Sequence, residues 1–109
     1  MFSKRAVYTE KGPAPLAGIY NQAIIAKDMV YCSGVIATDP ATDDLVEGDI
    51  KVHTVGETGF SILAAGADAA GTDIDNVVKV TVYLSNMEEF DAMNSVYSQY
   101  WGNVKPCRT

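Results

Sequence analysis

Residues that build metal and cofactor sites are scarce in this chain, which carries one histidine and two cysteines among its 109 residues. Cys32 and Cys107 stand far apart, with no Cys-x-x-Cys spacing and no accompanying histidine cluster. That pattern signals neither a disulfide framework nor a zinc site, so no metal is expected and a reducing compartment fits best. Basic charge is equally thin. Fourteen acidic side chains against 8 basic ones give a formal charge of -6 and a pI near 4.5, which repels phosphate backbones and anionic lipid at long range. Neither nucleic acid nor a membrane is an expected partner. No apolar run approaches the ~18 residues of a membrane span, and Met1 to Arg5 lack the apolar stretch of a secretory signal. The expected location is the cytoplasm. There is no Gly-x-Gly-x-x-Gly, no Gly-x-x-x-x-Gly-Lys, no His-x-x-x-His and no Gly-x-Ser-x-Gly. No cofactor is expected.

What is present reads as one domain over residues 1–109, since 48% hydrophobic content in a chain of this length supports one core. The central stretch is Met29-Val30-Tyr31-Cys32-Ser33-Gly34-Val35-Ile36, where strand-forming residues run into a Ser-Gly pair. Gly34 has no side chain to pack, and a glycine in a strand marks a bulge or a close approach by something else. Its hairpin partner is Asn21-Gln22-Ala23-Ile24-Ile25-Ala26, joined through Lys27-Asp28. Ala6 to Thr9 suggest a short first strand. The loop containing Gly12, Pro13, Pro15 and Gly18 then delivers Tyr20 to the hairpin.

A helix is predicted over 49–70, started by Asp49 as N-cap and closed by Gly71. Its inward stripe includes Val52, Phe60, Leu63 and Ala67, thinned by Gly56, Gly59 and Gly66. His53, one residue off that stripe, reads as a solvated surface histidine. The alternation over 76–84 predicts a strand with Val78, Val80, Val82 and Leu84 on a core face. Val77, Lys79, Thr81 and Tyr83 form the other face, whose mixed character suits contact with another subunit. Ser85 or Asn86 caps a second helix with the stripe Phe90, Met93, Tyr97, Tyr100. Asn94 falls inside that stripe and needs partners, as a tie to a neighbouring loop or as part of a pocket lining. Residues 104–109 read as the entry to a further strand, and on the residues alone Arg108 is a surface arginine near a terminus.

Taken together, Tyr20-Asn21-Gln22-Ala23, Val30-Tyr31-Cys32-Ser33-Gly34, the run from Asp75 to Leu84, Asn94-Ser95-Val96-Tyr97 and Lys105-Pro106-Cys107-Arg108-Thr109 resemble the Rid (YjgF-like, reactive intermediate deaminase) family. The resemblance runs in order through nearly the whole chain. It implies an α+β, chorismate-mutase-like fold, a mixed β-sheet with two helices packed on one face, assembled as a homotrimer with clefts between subunits. Members are cytosolic or mitochondrial. The implied activity is hydrolysis of 2-imino acids and enamines, such as 2-iminobutanoate and 2-iminopropanoate, to 2-keto acids and ammonia.

Carried over by position, the catalytic set would be Arg108, Cys107 and Tyr20. Arg108 would bind the substrate carboxylate, a role that suits its planar fork, and Cys107 would orient the attacking water through its backbone carbonyl. Ser33, Gly34, Asn94 and Tyr20 would line the same cleft. Three departures stand out. Val35-Ile36-Ala37 replaces the family's Gln-Ile-Pro, the first helix is glycine-rich, and the family's further strands with their glutamate lie beyond Thr109. That last departure leaves a second reading, a non-catalytic relative that binds small carboxylates or serves as an assembly partner. A third, the ribonuclease or translation-inhibitor activity ascribed to some relatives, is disfavoured by the acidic balance and the lack of a basic stripe.

Overall fold

The computed structural model describes all residues except 1–2, 37–38, 40, 43, 45–46 and 55–64, and the side chains of Val52 and Thr54 are also outside the description. The strands β1 (Lys4–Val7), β2 (Ala23–Ala26) and β3 (Met29–Cys32) are followed by helix α1 (Ile50–Thr54) and a helical segment α2 over 65–69. A 3-10 turn at Ile74–Asn76 leads to β4 (Lys79–Val80), and another at Met87–Glu89 runs into helix α3 (Phe90–Tyr97). A third turn, Ser98–Tyr100, precedes β5 (Cys107–Arg108). The result is an α+β fold.

β1, β2 and β3 form an antiparallel sheet in chain order, with Ala23 opposite Cys32 and Ala26 opposite Met29. The two-residue turn at Lys27-Asp28 closes it, Lys27 taking the positive φ of 53° that tight hairpins demand. Val7 and Ala23 are buried on one side of this sheet, while Met29 and Tyr31 are exposed on the other. The sequence points to the stretch from Met29 to Ile36 as central, and the structure corrects this. Among the described residues β3 is an edge strand ending at Cys32, and Val35 and Ile36 are exposed.

β4 and β5 pair in parallel, extended by Cys107 N to Val78 O at 2.9 Å, Thr109 N to Val80 O at 3.0 Å and Val82 N to Thr109 O at 2.9 Å. Helix α3 lies over this pair. Its Met93 and Tyr97, with Trp101, form a buried cluster against which Ile50, Ile74, Val77, Val80, Val82 and Leu84 pack. The alternation expected over 76–84 therefore holds from Val80 onward and fails before it. Val78 is 60% exposed and Val77 packs inward, because the turn at Ile74–Asn76 intervenes. Asp73 caps that turn by accepting from Asp75 N at 2.9 Å, and Val77 N closes it onto Ile74 O. Phe90 also departs from its expected burial at 37% exposed, whereas Val96, outside the expected stripe, is buried.

Asp49 caps α1 through Oδ1 to Lys51 N at 3.1 Å. His53 is half-buried rather than fully solvated. The middle of the helix expected over 49–70, with Gly56, Gly59, Phe60 and Leu63, falls outside the described residues. Its far end is described: Gly71 N bonds to Asp68 O and Thr72 N to Ala67 O, both at 3.0 Å, with Gly71 at φ 86°. Those paired bonds make a Schellman close. Among the described residues no helix is long and apolar enough to cross a membrane.

A Cβ placed on Gly71 would meet nothing within 4 Å, so substitution there meets only the backbone penalty of the left-handed region. Gly71→Ala is expected to destabilise the fold by about 1 kcal/mol, read as a melting temperature several degrees lower. An unchanged melting curve would show that the helix end does not depend on this conformation.

Candidate functional site

The register of β4 and β5 sets the site. Lys79 pairs with Cys107 and Val80 with Arg108, and paired residues in a ladder point to the same side while their neighbours point to the other. Arg108 therefore faces α3 with Val80, and both are half-buried. Cys107 faces outward with Lys79, and both are exposed. On that outer side Lys79 Nζ also meets Thr109 Oγ1. The Cys107 thiol thus points away from the Arg108 side.

Helix α3 supplies the rest. Phe90, Asn94 and Tyr97 are spaced i, i+4 and i+7, which puts them along one ridge of the helix. Arg108 Nη1 donates to Asn94 Oδ1 at 2.6 Å. The guanidinium carbon lies 4.7 Å from the centroid of the Tyr97 ring and 5.4 Å from that of Phe90, within the range of cation–π attraction. A guanidinium carries donors only, so the carbonyl oxygen of Asn94 must be the atom facing it. The polar residue found inside an apolar stripe is thereby satisfied, and by the residue that the resemblance singles out. Tyr97 stacks in turn at 5.3 Å on Trp101, with the rings tilted by 57°.

The remaining expected site residues gather on the antiparallel sheet. Leu16 O accepts from Ile19 N at 2.9 Å and from Tyr20 N at 3.3 Å, a turn that uses Gly18 at φ 77° and leaves Tyr20 exposed just ahead of β2. Ser33 follows β3 and is tied back twice, its N to Gln22 O at 3.0 Å and its Oγ to Asn21 O at 2.5 Å. Gly34 is exposed, and a Cβ there would meet nothing within 4 Å. Nothing in the described part of this chain approaches it closely, contrary to what its position in the sequence suggests. Among the described residues no hydrogen bond links Tyr20 or Ser33 to Arg108. Arg108 is thus bonded directly to Asn94, and Ser33 to the two residues that follow Tyr20.

Sequence reasoning assigned Phe90 and Tyr97 to the core alone and missed their contact with Arg108. The i, i+4, i+7 relation to Asn94 was the available signal. It also passed over Gln22, whose side chain accepts from Thr9 N at 2.7 Å and donates to Thr9 O at 3.0 Å and to Pro13 O at 2.7 Å. Those bonds fasten the loop that leads toward Tyr20. Cys32 is exposed as a residue, and partial desolvation of its thiol raises the pKa above the ordinary value, which disfavours the thiolate.

Comparison with known proteins places this geometry in context. The family model described as Endoribonuclease L-PSP matches residues 9–109. A RutC family protein of Pyrococcus abyssi is 42% identical over 106 residues, covering 97% of this chain and 81% of the relative. A protein of Capra hircus named 2-iminobutanoate/2-iminopropanoate deaminase is 38% identical over 105 residues, covering 96% of this chain and 74% of the relative. Among solved structures, a Rid-family protein of Yersinia pestis superposes with a TM-score of 0.90 at 34% identity, covering 97% of this chain and 82% of the other.

Burial raises the Tyr97 phenol above its ordinary value of 10.0, opposed by the nearby Arg108 charge. The folded chain therefore keeps this proton at a pH where the unfolded chain has lost it. The associated stability is complete below pH 10 and is lost as the pH rises through the folded value. Tyr97→Phe removes the titration, so its melting temperature is expected to fall less steeply above pH 10 than that of the parent. Parallel slopes for the two proteins in alkaline melts would contradict this.

Proposed function

Because the chain belongs to the Rid (YjgF-like) family, whose model carries the description Endoribonuclease L-PSP, we propose that it hydrolyses reactive 2-imino acids and their enamine tautomers to 2-keto acids and ammonia. The deaminase name of relatives such as that of Capra hircus supports the substrate class. The observation that carries the reading is Arg108 itself, a half-buried guanidinium with one donor committed to Asn94 and others left for an anion. A planar fork of this kind matches a carboxylate by two parallel hydrogen bonds.

In this reading Arg108 holds the substrate carboxylate and so fixes the adjacent imine carbon. Water adds to that carbon as the C=N bond opens, giving a carbinolamine. Proton transfer to nitrogen then allows the C–N bond to break, releasing ammonia and leaving the 2-keto acid. The Cys107 backbone carbonyl orients the water, and Ser33, Gly34, Asn94 and Tyr20 line the cleft. Imine hydrolysis is facile in water, so positioning supplies a useful share of the acceleration. No cofactor or metal enters the scheme. The proposed setting is the cytoplasm.

The cleft would be completed between subunits of a homotrimer. Two observations support this: Tyr20 and Ser33 make no hydrogen bond to Arg108 within one chain, and apolar side chains stand in solvent on both sheets. Tyr83 is 91% exposed beside Lys79 and Thr81, and Met29 and Tyr31 are exposed on the outer face of the hairpin. Light scattering at micromolar concentration is expected to give the mass of a trimer, and a monomer would end this part of the proposal.

Arg108→Lys keeps the charge and the aliphatic stem but loses the fork. It is expected to lower ammonia release from 2-iminobutanoate, generated in situ by a threonine dehydratase, at least ~30-fold, equivalent to ~2 kcal/mol. Circular dichroism should remain that of the parent. Equal rates for the two proteins would remove Arg108 from the site. A parent chain that binds 2-oxobutanoate but releases no ammonia would instead be a carboxylate-binding protein.

A further inference from the structure

The ridge of α3 does more than accept one hydrogen bond. The guanidinium carbon lies 4.7 Å from the Tyr97 centroid and 5.4 Å from that of Phe90, so both rings are within cation–π reach of one cation. Asn94, which accepts from Arg108 Nη1, stands between Phe90 and Tyr97 along the same ridge. We propose that Phe90 and Tyr97 are positioning residues for Arg108, their ring faces fixing the plane in which the guanidinium presents its free donors to a carboxylate. This rests on the reading of Arg108 as the carboxylate binder.

Each partner has a distinct part. Asn94 Oδ1 occupies a hydrogen on Nη1, which leaves Nη2 and Nε as the free fork. One hydrogen bond alone would let the long side chain swing about that bond. The rings remove this freedom, because a cation held near two aromatic faces is attracted to both. The ordering is then complete before the substrate arrives, and less rotamer entropy is lost on binding. Tyr97 is buried and braced by Trp101, so it makes the fixed wall. Phe90 lies at the start of α3 and is 37% exposed, so it makes the outer wall, reachable by mutation without opening the core.

The experiment uses 2-oxobutanoate as a stable carboxylate probe and the arginine side-chain NMR signals of the full chain as a direct readout. The sequence contains only Arg5 and Arg108, so Arg108→Lys assigns the resonance by its disappearance. In the parent the Arg108 Nε–H signal is expected to be displaced by the ring currents. Phe90→Leu keeps apolar volume and removes the face. It is expected to move that signal toward the Arg5 position and to weaken 2-oxobutanoate binding about 3- to 10-fold. Phe90→Tyr restores the face and should restore both readouts, and Tyr97→Phe, which keeps its ring, should leave the Arg108 signal in place. A Phe90→Leu protein with an unmoved signal and unchanged affinity, while Arg108→Lys no longer binds, overturns the positioning role and leaves the carboxylate reading standing. If Arg108→Lys binds 2-oxobutanoate as the parent does, the premise fails and the proposal with it. A lower melting temperature in Phe90→Leu without movement of either readout would mark a merely structural residue, and would also overturn it.

Discussion

The parallel pairing of β5 with β4 is the constraint on which the candidate site depends. It spans only a few residues, yet it decides which way Arg108 points. A slip of one residue would send Arg108 outward beside Lys79 and turn Cys107 inward. Two features oppose that slip. The bonds from Cys107 N to Val78 O and from Thr109 N to Val80 O fix the register along the backbone, and the guanidinium fastens the strand to α3 through Asn94. The arginine is therefore both the group that the site presents and one of the links that hold its own strand in place.

Helix α3 carries two ridges that share a residue. One ridge, through Met93 and Tyr97 to Trp101, is the buried cluster on which β4 and α1 pack. The other, through Phe90, Asn94 and Tyr97, faces Arg108. Tyr97 belongs to both. Its ring packs on Trp101 on one side and lies near a cation on the other, so the rigidity of the core passes to the guanidinium through one side chain. Sites held by packed elements of this kind are more accurately placed than sites on loops. Tyr20, by contrast, sits on a loop, steadied from a distance by the bonds of Gln22.

Local chemistry made much of this legible in the sequence. The hairpin followed from β-formers on either side of Lys27-Asp28, the close of α2 from Gly71, and α3 from its apolar spacing. Asn94 stood out because a polar amide in an apolar stripe must find a partner, and it does. What failed was phase. Read as a strand from residue 76, the alternation assigns Val78 inward. The Asp73-capped turn consumes Ile74–Asn76 and shifts the start, so Val77 packs inward instead. Phe90 was misassigned because the helix begins where the core ends, and its ring covers an arginine rather than the cluster. Arg108 itself carried no local signal. Its partners are 11 or more residues away in sequence, and only the resemblance of its block marked it.

Net charge and local charge pull in opposite directions here. A chain of formal charge -6 repels an anion, and one guanidinium must overcome that. At physiological ionic strength the Debye length is ~8 Å, so the scattered carboxylates act weakly across the molecule, while donors at hydrogen-bond distance act almost unscreened. One fork suffices for one carboxylate. A polyanion gains its affinity differently, through many phosphate contacts made together, with the long-range field of a basic surface to steer it. An acidic chain with one pre-set arginine beside two aromatic faces is thus built on the scale of a small carboxylate, and that ranks the imino-acid reading above an RNA-cleaving one within a family whose model bears an endoribonuclease description.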